Sequence, residues 1–281
     1  MSSDGQAEHL ARRVRDLPSL SSVVVELLEA MERDDIDAQQ LGAKIALDQS
    51  LTAKTLRLAN SSFYGMSSRV TSMQQAITVL GFHSIRGLVT ACAVTGSFRP
   101  DQAGGLDFTA FWRHSLATAV GARLLAREYG IAPESAFTAG LLHDIGVLVL
   151  ATGQGEDYAG VLAWQRKHDC PRIDAERAVL GIDHAQAGAA LAVHWKFPAA
   201  IAEAVAAHHA PPTDGAPSLA LVLHAASAFA HALDLSACED ELVPPLSQQA
   251  WDLLALSERQ TSALFRDTEA SFAELSQILL K

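Results

Sequence analysis

The stretch AFTAGLLHDIGVLVLA, residues 136–151, is apolar on every face except for His143 and Asp144 at its middle. An ionised carboxylate buried without a partner is costly, so Asp144 requires a cation, a strong donor set or a metal ion. Consecutive helical residues point about 100° apart. The two side chains therefore cannot share one narrow face, but both can reach a site in a groove between helices. The plain alternative is a buried His–Asp pair satisfied by protein groups, and for an isolated dipeptide that alternative prevails.

The dipeptide is not isolated. His114 lies in the apolar run FWRHSLATAVGARLLA, GIDHAQAGAALAVHW places His184 near a helix start, and AAHHAPP sets His208 and His209 in a last turn before two prolines. Each has an ordinary explanation on its own. His208 and His209 favour the negative end of a helix dipole, His184 caps a turn, and His114 is a satisfied core histidine. The order H…HD…H…HH shifts the balance, because imidazole nitrogens around a bridging carboxylate suit borderline divalent ions such as iron, manganese, nickel or zinc.

The elements that must position these residues are helices. Leu20, Val23, Val24, Leu27, Leu28 and Met31 repeat at helical spacing after Pro18-Ser19, and Leu41, Ile45 and Leu47 mark a second, short helix. Asp48 or Ser50 caps a third, carrying Leu51, Leu56 and Leu58. The loop NSSFYGMSSRV follows, then a helix opened by Ser72 with Gln75, a Gly-Phe-His break, and a helix from Ser84 to about Phe98. Asn60 and Ser61 are expected to satisfy backbone groups of the loop. Helices are expected over about 108–129, 133–151, 157–169, 184–195, 199–209 and 217–233, with a final pair after Pro244-Pro245 whose last member opens on Ser257 and Gln260. No segment alternates as a strand would. The chain reads as all-α, a multi-helix bundle with an N-terminal helical part (1–98), a linker RPDQAGGLD (99–107), a second bundle (108–233) and a helical extension (234–281). The apolar stripe Leu264, Phe265, Phe272, Leu275, Ile278 and Leu279 of that extension calls for intramolecular cover.

Composition bounds the function. Of 281 residues, 49% are hydrophobic and only 6% aromatic, a mix that suits helix packing. Cys92, Cys170 and Cys238 are scattered and form no CxxC, which excludes a zinc knuckle or disulfide framework. The polar N-terminus lacks a signal-peptide core, and no uninterrupted apolar stretch approaches membrane-spanning length, so a soluble cytoplasmic protein without membrane partners is expected. The net charge of −11 is uneven. Residues 1–100 hold ten basic and ten acidic residues, the remainder eleven against twenty-two. That imbalance argues against nucleic-acid binding. Lys44, Lys54, Arg57, Arg69, Arg86 and Arg99 form a local basic excess, spread over several helices as a solvated face would be.

Residues 114–227 resemble the HD superfamily of metal-dependent phosphohydrolases. Roughly residues 17–233 resemble a more specific family, the HDOD domain, an HD-related output domain of bacterial signalling proteins. The resemblance is carried by LPSL (17–20), LRLANSSFYG (56–65), AITVLGFHSIRGLV (76–89), AFTAGLLHDIG (136–146) and LGIDHAQAGAAL (180–191). It implies an N-terminal helical subdomain beside an HD-like bundle. In HD enzymes the first His, the HD pair and a distant Asp hold one metal, and further histidines hold a second. The resemblance maps His114, His143 and Asp144 onto the first set, and His184 with His208 or His209 onto the second. The distant Asp falls at Ser227, flanked by His224 and His231 on the same helical stripe. Active relatives commonly carry a phosphate-binding Lys after the HDIG motif, where this chain has Val147. Loss of both groups implies a non-catalytic regulatory module with a degenerate metal site, acting through signalling proteins (a sensor or a cyclic-dinucleotide-related protein) or a nucleotide ligand. The alternative is a metal-dependent phosphohydrolase acting on a nucleotide or cyclic dinucleotide, with Asp144 and His184 as its catalytic candidates.

Overall fold

The structure, a computed structural model, describes residues 38–65, 69–95, 105–153, 155–238 and 242–280. The expected first helix at 18–31 and the LPSL motif lie outside these residues. The described residues contain helices and no strand, so the chain is all-α. They divide into two units, one built from residues 105–268 and the other from residues 38–95 with 269–280.

In the smaller unit, α1 (Ala38–Ile45) and α2 (Gln49–Ala59) pack on α3 (Met73–Thr95). Asp48 caps α2 by accepting from the Leu51 amide at 2.9 Å. The expected Gly-Phe-His break is a kink at Gly81, whose φ of 80° is in the region that glycine tolerates. Asn60 closes the intervening loop. Its amide donates to the Leu56 and Val70 carbonyls, and its Oδ1 accepts from the Val70 N–H, while Ser61 donates to the Leu58 carbonyl. Arg57, Arg69 and Glu274 line an open cleft beside this loop.

The larger unit is organised around α4 (Phe108–Ala126), capped by Asp107 through the Ala110 amide. Its Ala- and Val-rich sequence is buried on nearly every face, as a central helix must be. The buried Arg123 pairs with Glu134 at 2.9 Å. Proline at the first position opens α5 (Pro133–Leu142). A Cβ on Gly140 would sit 2.6 Å from the Ala119 Cα, so α4 and α5 meet backbone to backbone.

The single helix expected over 133–151 is two. The chain turns at His143-Asp144, where the Val147 amide bonds the Asp144 carbonyl, and continues as α6 (Ile145–Gly153). Hydrophobic periodicity carries no mark of this break because both helices are buried on all sides. The whole run Pro133–Gly153 is long and apolar enough by average composition to cross a membrane, although Glu134, His143 and Asp144 interrupt it. In the fold it is broken at the His-Asp turn, and 83% of its most apolar window is buried within the protein.

Next come α7 (Gly155–His168) and α8 (Arg172–Leu180), then α9 (His184–His194), α10 (Ala199–Ala207), α11 (Leu219–Ala232), α12 (Gln248–Leu254) and α13 (Glu258–Leu279). Helix α8 had no counterpart among the expected helices. Pro171 and Gly181 bound it, it has no side-chain N-cap, and its nine residues carry no strong apolar stripe. Asp183 opens α9 through a capping box with Gln186. A Cβ on Gly146 would meet the His184 carbonyl oxygen at 1.9 Å, so glycine is what lets α6 and α9 touch. Along α13, Phe265 packs edge-on against Phe229, and Phe272, Leu275 and Leu279 are buried.

Candidate metal centre

Five helical segments of the larger unit bring the histidines together. The α5–α6 turn presents His143 and Asp144, α4 presents His114, the first residue of α9 is His184, and the end of α10 supplies His208 and His209. Gly140 and Gly146 make the arrangement possible by letting α5 approach α4 and α9 approach α6 without a side chain between them.

Asp144 stands at the centre. Its Oδ1 lies 3.4 Å from His143 Nε2, 3.4 Å from His184 Nε2 and 3.3 Å from His208 Nε2, and its Oδ2 lies 3.8 Å from His114 Nε2. The His114 and His143 Nε2 atoms are 3.2 Å apart, and those of His184 and His209 are 2.6 Å apart. Four of the rings are almost fully buried, whereas His209 is exposed at the rim. Two overlapping donor groups result. His114, His143 and Asp144 form one, Asp144, His184, His208 and His209 the other, with Asp144 shared.

The outer nitrogens fix how the rings face. His143 Nδ1 lies 2.7 Å from the Gly140 carbonyl, His208 Nδ1 2.7 Å from the Val205 carbonyl, and His184 Nδ1 2.6 Å from Glu176 Oε2. Each of these oxygens only accepts, so each Nδ1 carries a proton, and in the neutral form of each ring the Nε2 lone pair faces inward. With all three rings neutral, three lone pairs converge on one carboxylate oxygen. His208 Nε2 is buried 3.3 Å from that oxygen. Such a set is mutually repulsive unless positive charge lies among it.

Protonation of the rings is opposed for most of them. Burial lowers the His143 pKa to about 4, and burial with the neighbouring His231 and His143 holds His114 well below the ordinary range. Only His184 moves upward: burial works against its charged form, but the Glu176 carboxylate outweighs it. Asp144 is likewise pushed toward protonation by burial, yet the surrounding imidazoles, His143 foremost, keep it ionised well below the usual carboxylate range.

A divalent cation fits this donor set. Ligands bound about 2.0–2.2 Å from a tetrahedral ion lie roughly 3.3–3.6 Å from one another; Asp144 Oδ1 lies 3.4 Å from His184 Nε2 and 3.3 Å from His208 Nε2, whereas the His184 and His209 Nε2 atoms, 2.6 Å apart, must separate by about 1 Å to bind the same ion. The second group offers three imidazoles and a carboxylate. The first offers two imidazoles and the same carboxylate, and its remaining corner is filled by Ser227, whose Oγ lies 3.3 Å from His114 Nε2, with the Thr118 hydroxyl at 3.5 Å. Among the described residues no second carboxylate stands there.

The structure thus brings together all six residues expected at the site, and it places Ser227 at the corner where the resemblance puts the distant Asp. Val147 is buried in α6. His224 and His231 contact candidate ligands without being donors themselves to Asp144: His224 Nδ1 bonds the His208 carbonyl at 2.8 Å, and the His231 ring lies over His114 with centroids 4.1 Å apart. Glu176 and Tyr158 were not among the expected residues. Glu176, fully buried, accepts from the His184 backbone amide at 2.8 Å and from Tyr158 at 3.1 Å. No sequence signal marked Glu176, because its burial becomes visible only once the short, polar helix α8 is placed in the fold.

Comparison with known proteins bears on the family and the fold. The HDOD domain family matches residues 17–211. The chain is 28% identical over 205 residues to an uncharacterized protein of Treponema pallidum, of which it spans 39%. The fold superposes on an HDOD domain protein of Geobacter sulfurreducens with a TM-score of 0.77 at 22% identity, covering 98% of this chain and all of that one. A protein of Shewanella amazonensis, classed by name alone as a phosphohydrolase, superposes with a TM-score of 0.75 at 29% identity over 96% of this chain and 97% of its own. The MmoQ response regulator of Methylococcus capsulatus superposes at 0.51 with 28% identity, covering 90% and 99%. By the extent of the family match and the helical architecture it describes, the chain belongs to the HDOD family.

Proposed function

We propose that this chain is a non-catalytic regulatory module that holds one divalent cation among Asp144, His184, His208 and His209 and signals through a protein partner or a nucleotide-type ligand. The observation that carries the reading is Ser227. A neutral hydroxyl occupies the corner beside His114 where HD enzymes place a carboxylate, so the first donor group lacks the charge to retain a second ion. Val147 likewise supplies no cation for a phosphate. Family membership and the resemblance to a response regulator support a role in signal transduction.

When bound, a divalent ion at such a site can act as a Lewis acid toward a phosphoryl oxygen. The residues of the chain hold the site in readiness. Gly140 and Val205 carbonyls orient His143 and His208, and Asp144 provides the one anionic donor common to both groups. A second reading, a phosphohydrolase acting on a nucleotide or cyclic dinucleotide, is favoured by the six retained His and Asp donors and by the name of the Shewanella relative.

Metal analysis of the purified protein, paired with hydrolysis assays on a panel of nucleotides and cyclic dinucleotides, separates the two. One ion per chain without turnover supports the regulatory module. Turnover abolished by Asp144→Ala establishes the hydrolase, and metal-free protein after reconstitution with iron, manganese, nickel or zinc removes the ion from the account.

A further inference from the structure

Glu176 is a fully buried carboxylate, and nothing in the regulatory reading so far uses it. Burying an ion of this kind is costly unless its oxygens are filled, and here both are. Oε2 accepts from the His184 backbone N–H at 2.8 Å and from His184 Nδ1 at 2.6 Å, and Oε1 accepts from the Tyr158 hydroxyl at 3.1 Å. Tyr158 is itself fully buried, and burial together with the adjacent carboxylate keeps its phenol protonated far above the usual range, so it stays a donor. These contacts come from three helices: Tyr158 on α7, Glu176 on α8 and His184 at the start of α9.

Two features separate this arrangement from ordinary core packing. The same oxygen grips both the backbone and the ring of His184, which leaves the imidazole no freedom to rotate or to exchange tautomers. The ring so held directs Nε2 to within 3.4 Å of Asp144 and 2.6 Å of His209, into the donor group that the proposed ion would occupy. His143 and His208 are oriented by backbone carbonyls, which no side-chain substitution can remove. His184 alone among the three depends on a side chain.

We propose that Glu176, backed by Tyr158, is a positioning residue of the ion site: it locks His184 with Nε2 inward and so sets the affinity of the site without touching the ion. The proposal rests on the reading of that site as a cation site. Outer carboxylates that orient a ligating imidazole raise its basicity as well as fixing its direction, and their loss lowers metal affinity about 10–100-fold.

The test is competition for Zn²⁺ between a chromophoric chelator and the wild-type, Glu176→Ala, Glu176→Gln and Tyr158→Phe proteins, with ¹⁵N NMR of the histidine rings in the metal-free state. Glu176→Ala is expected to weaken Zn²⁺ binding by about 10–100-fold. Glu176→Gln keeps an acceptor for Nδ1, so it should bind between wild type and Glu176→Ala, and it serves as the folded variant if alanine does not fold. Tyr158→Phe should fall nearer to wild type. In the ring spectra, the His184 Nδ1–H signal should be lost or averaged in Glu176→Ala while those of His143 and His208 persist, a pattern that simple destabilisation would not produce. Wild-type affinity in both Glu176 variants, or an unchanged His184 ring signal, overturns the proposal. If the wild-type protein takes up no Zn²⁺, the regulatory ion site falls and the ring spectra alone decide whether Glu176 positions His184.

Discussion

Replacing Gly146 by alanine tests whether the site depends on direct backbone contact between α6 and α9. A Cβ at that position would lie 1.9 Å from the His184 carbonyl oxygen, 2.6 Å from the Gly188 nitrogen and 2.7 Å from the His184 carbonyl carbon. All three are backbone atoms, so no rotamer change relieves the clash. Ordinary contact is near 3.4 Å, which requires the helices to part by roughly 1–1.5 Å. Overpacking of this kind costs about 3 kcal/mol, equivalent to a fall in Tm of roughly 6–12 °C for a unit of this size. The same displacement carries His184 away from Asp144, now 3.4 Å distant, so ion binding should fall in parallel. Gly160→Ala is the control. From the interior of α7 its Cβ would meet the Val179 side chain of α8 at 3.7 Å, an ordinary contact, and the substitution should stabilise by about 0.5–1 kcal/mol. Thermal unfolding followed by circular dichroism reads both. A Gly146→Ala protein that melts with the wild type and binds Zn²⁺ equally would refute the close-contact reasoning.

Further outcomes follow from other parts of the structure. Ser227→Asp places a carboxylate in the corner beside His114 and should raise metal content from one ion per chain to two, read by elemental analysis; an unchanged content would show that the corner is not a ligand position. Asp183→Ala removes the capping box of α9 and the 2.8 Å pair with Arg177, and should lower stability by about 1 kcal/mol in chemical denaturation. The metal-free protein should lose stability as pH falls from about 6.5 toward 4. His143 and His114 have folded pKa values below those of the unfolded chain, so unfolding takes up protons in that window; His184, shifted the other way, offsets part of the loss. Denaturation midpoints that are flat over this range would contradict the buried, neutral rings. Burial pushes the Cys92 thiol up to about 12, so it should resist a thiol reagent at pH 8 that modifies the part-exposed Cys170 and Cys238. Equal reactivity of all three would show that Cys92 is not enclosed.

Much of this architecture was legible from local chemistry. Asp48, Ser72 and Ser257 announce helix starts because short polar side chains accept from the first turn, and Gly81 announces a kink because glycine tolerates its φ. The histidine order pointed to a centre because polar residues in apolar helices need partners. What stayed hidden was hidden for physical reasons. The break at His143-Asp144 lies between two helices that are apolar on all faces, so no periodicity changes across it. Helix α8 is short, polar and uncapped by a side chain, and with it went Glu176. The close approaches at Gly140 and Gly146 are tertiary facts, since a helical glycine looks the same in sequence whether or not a neighbouring backbone presses against it. The membrane-length run 133–153 is distinguished from a spanning helix by its break at His143-Asp144 and by its burial within the fold.

The central claim is that one divalent ion is held by Asp144, His184, His208 and His209 rather than by the His114–His143 group. It is tested most directly by Zn²⁺ titration calorimetry of the wild type beside His209→Ala and His114→Ala. The account predicts one ion per wild-type chain, loss of most of the affinity in His209→Ala, and stoichiometric binding retained in His114→Ala. Two ions in the wild type, or binding abolished by His114→Ala and kept by His209→Ala, would contradict it.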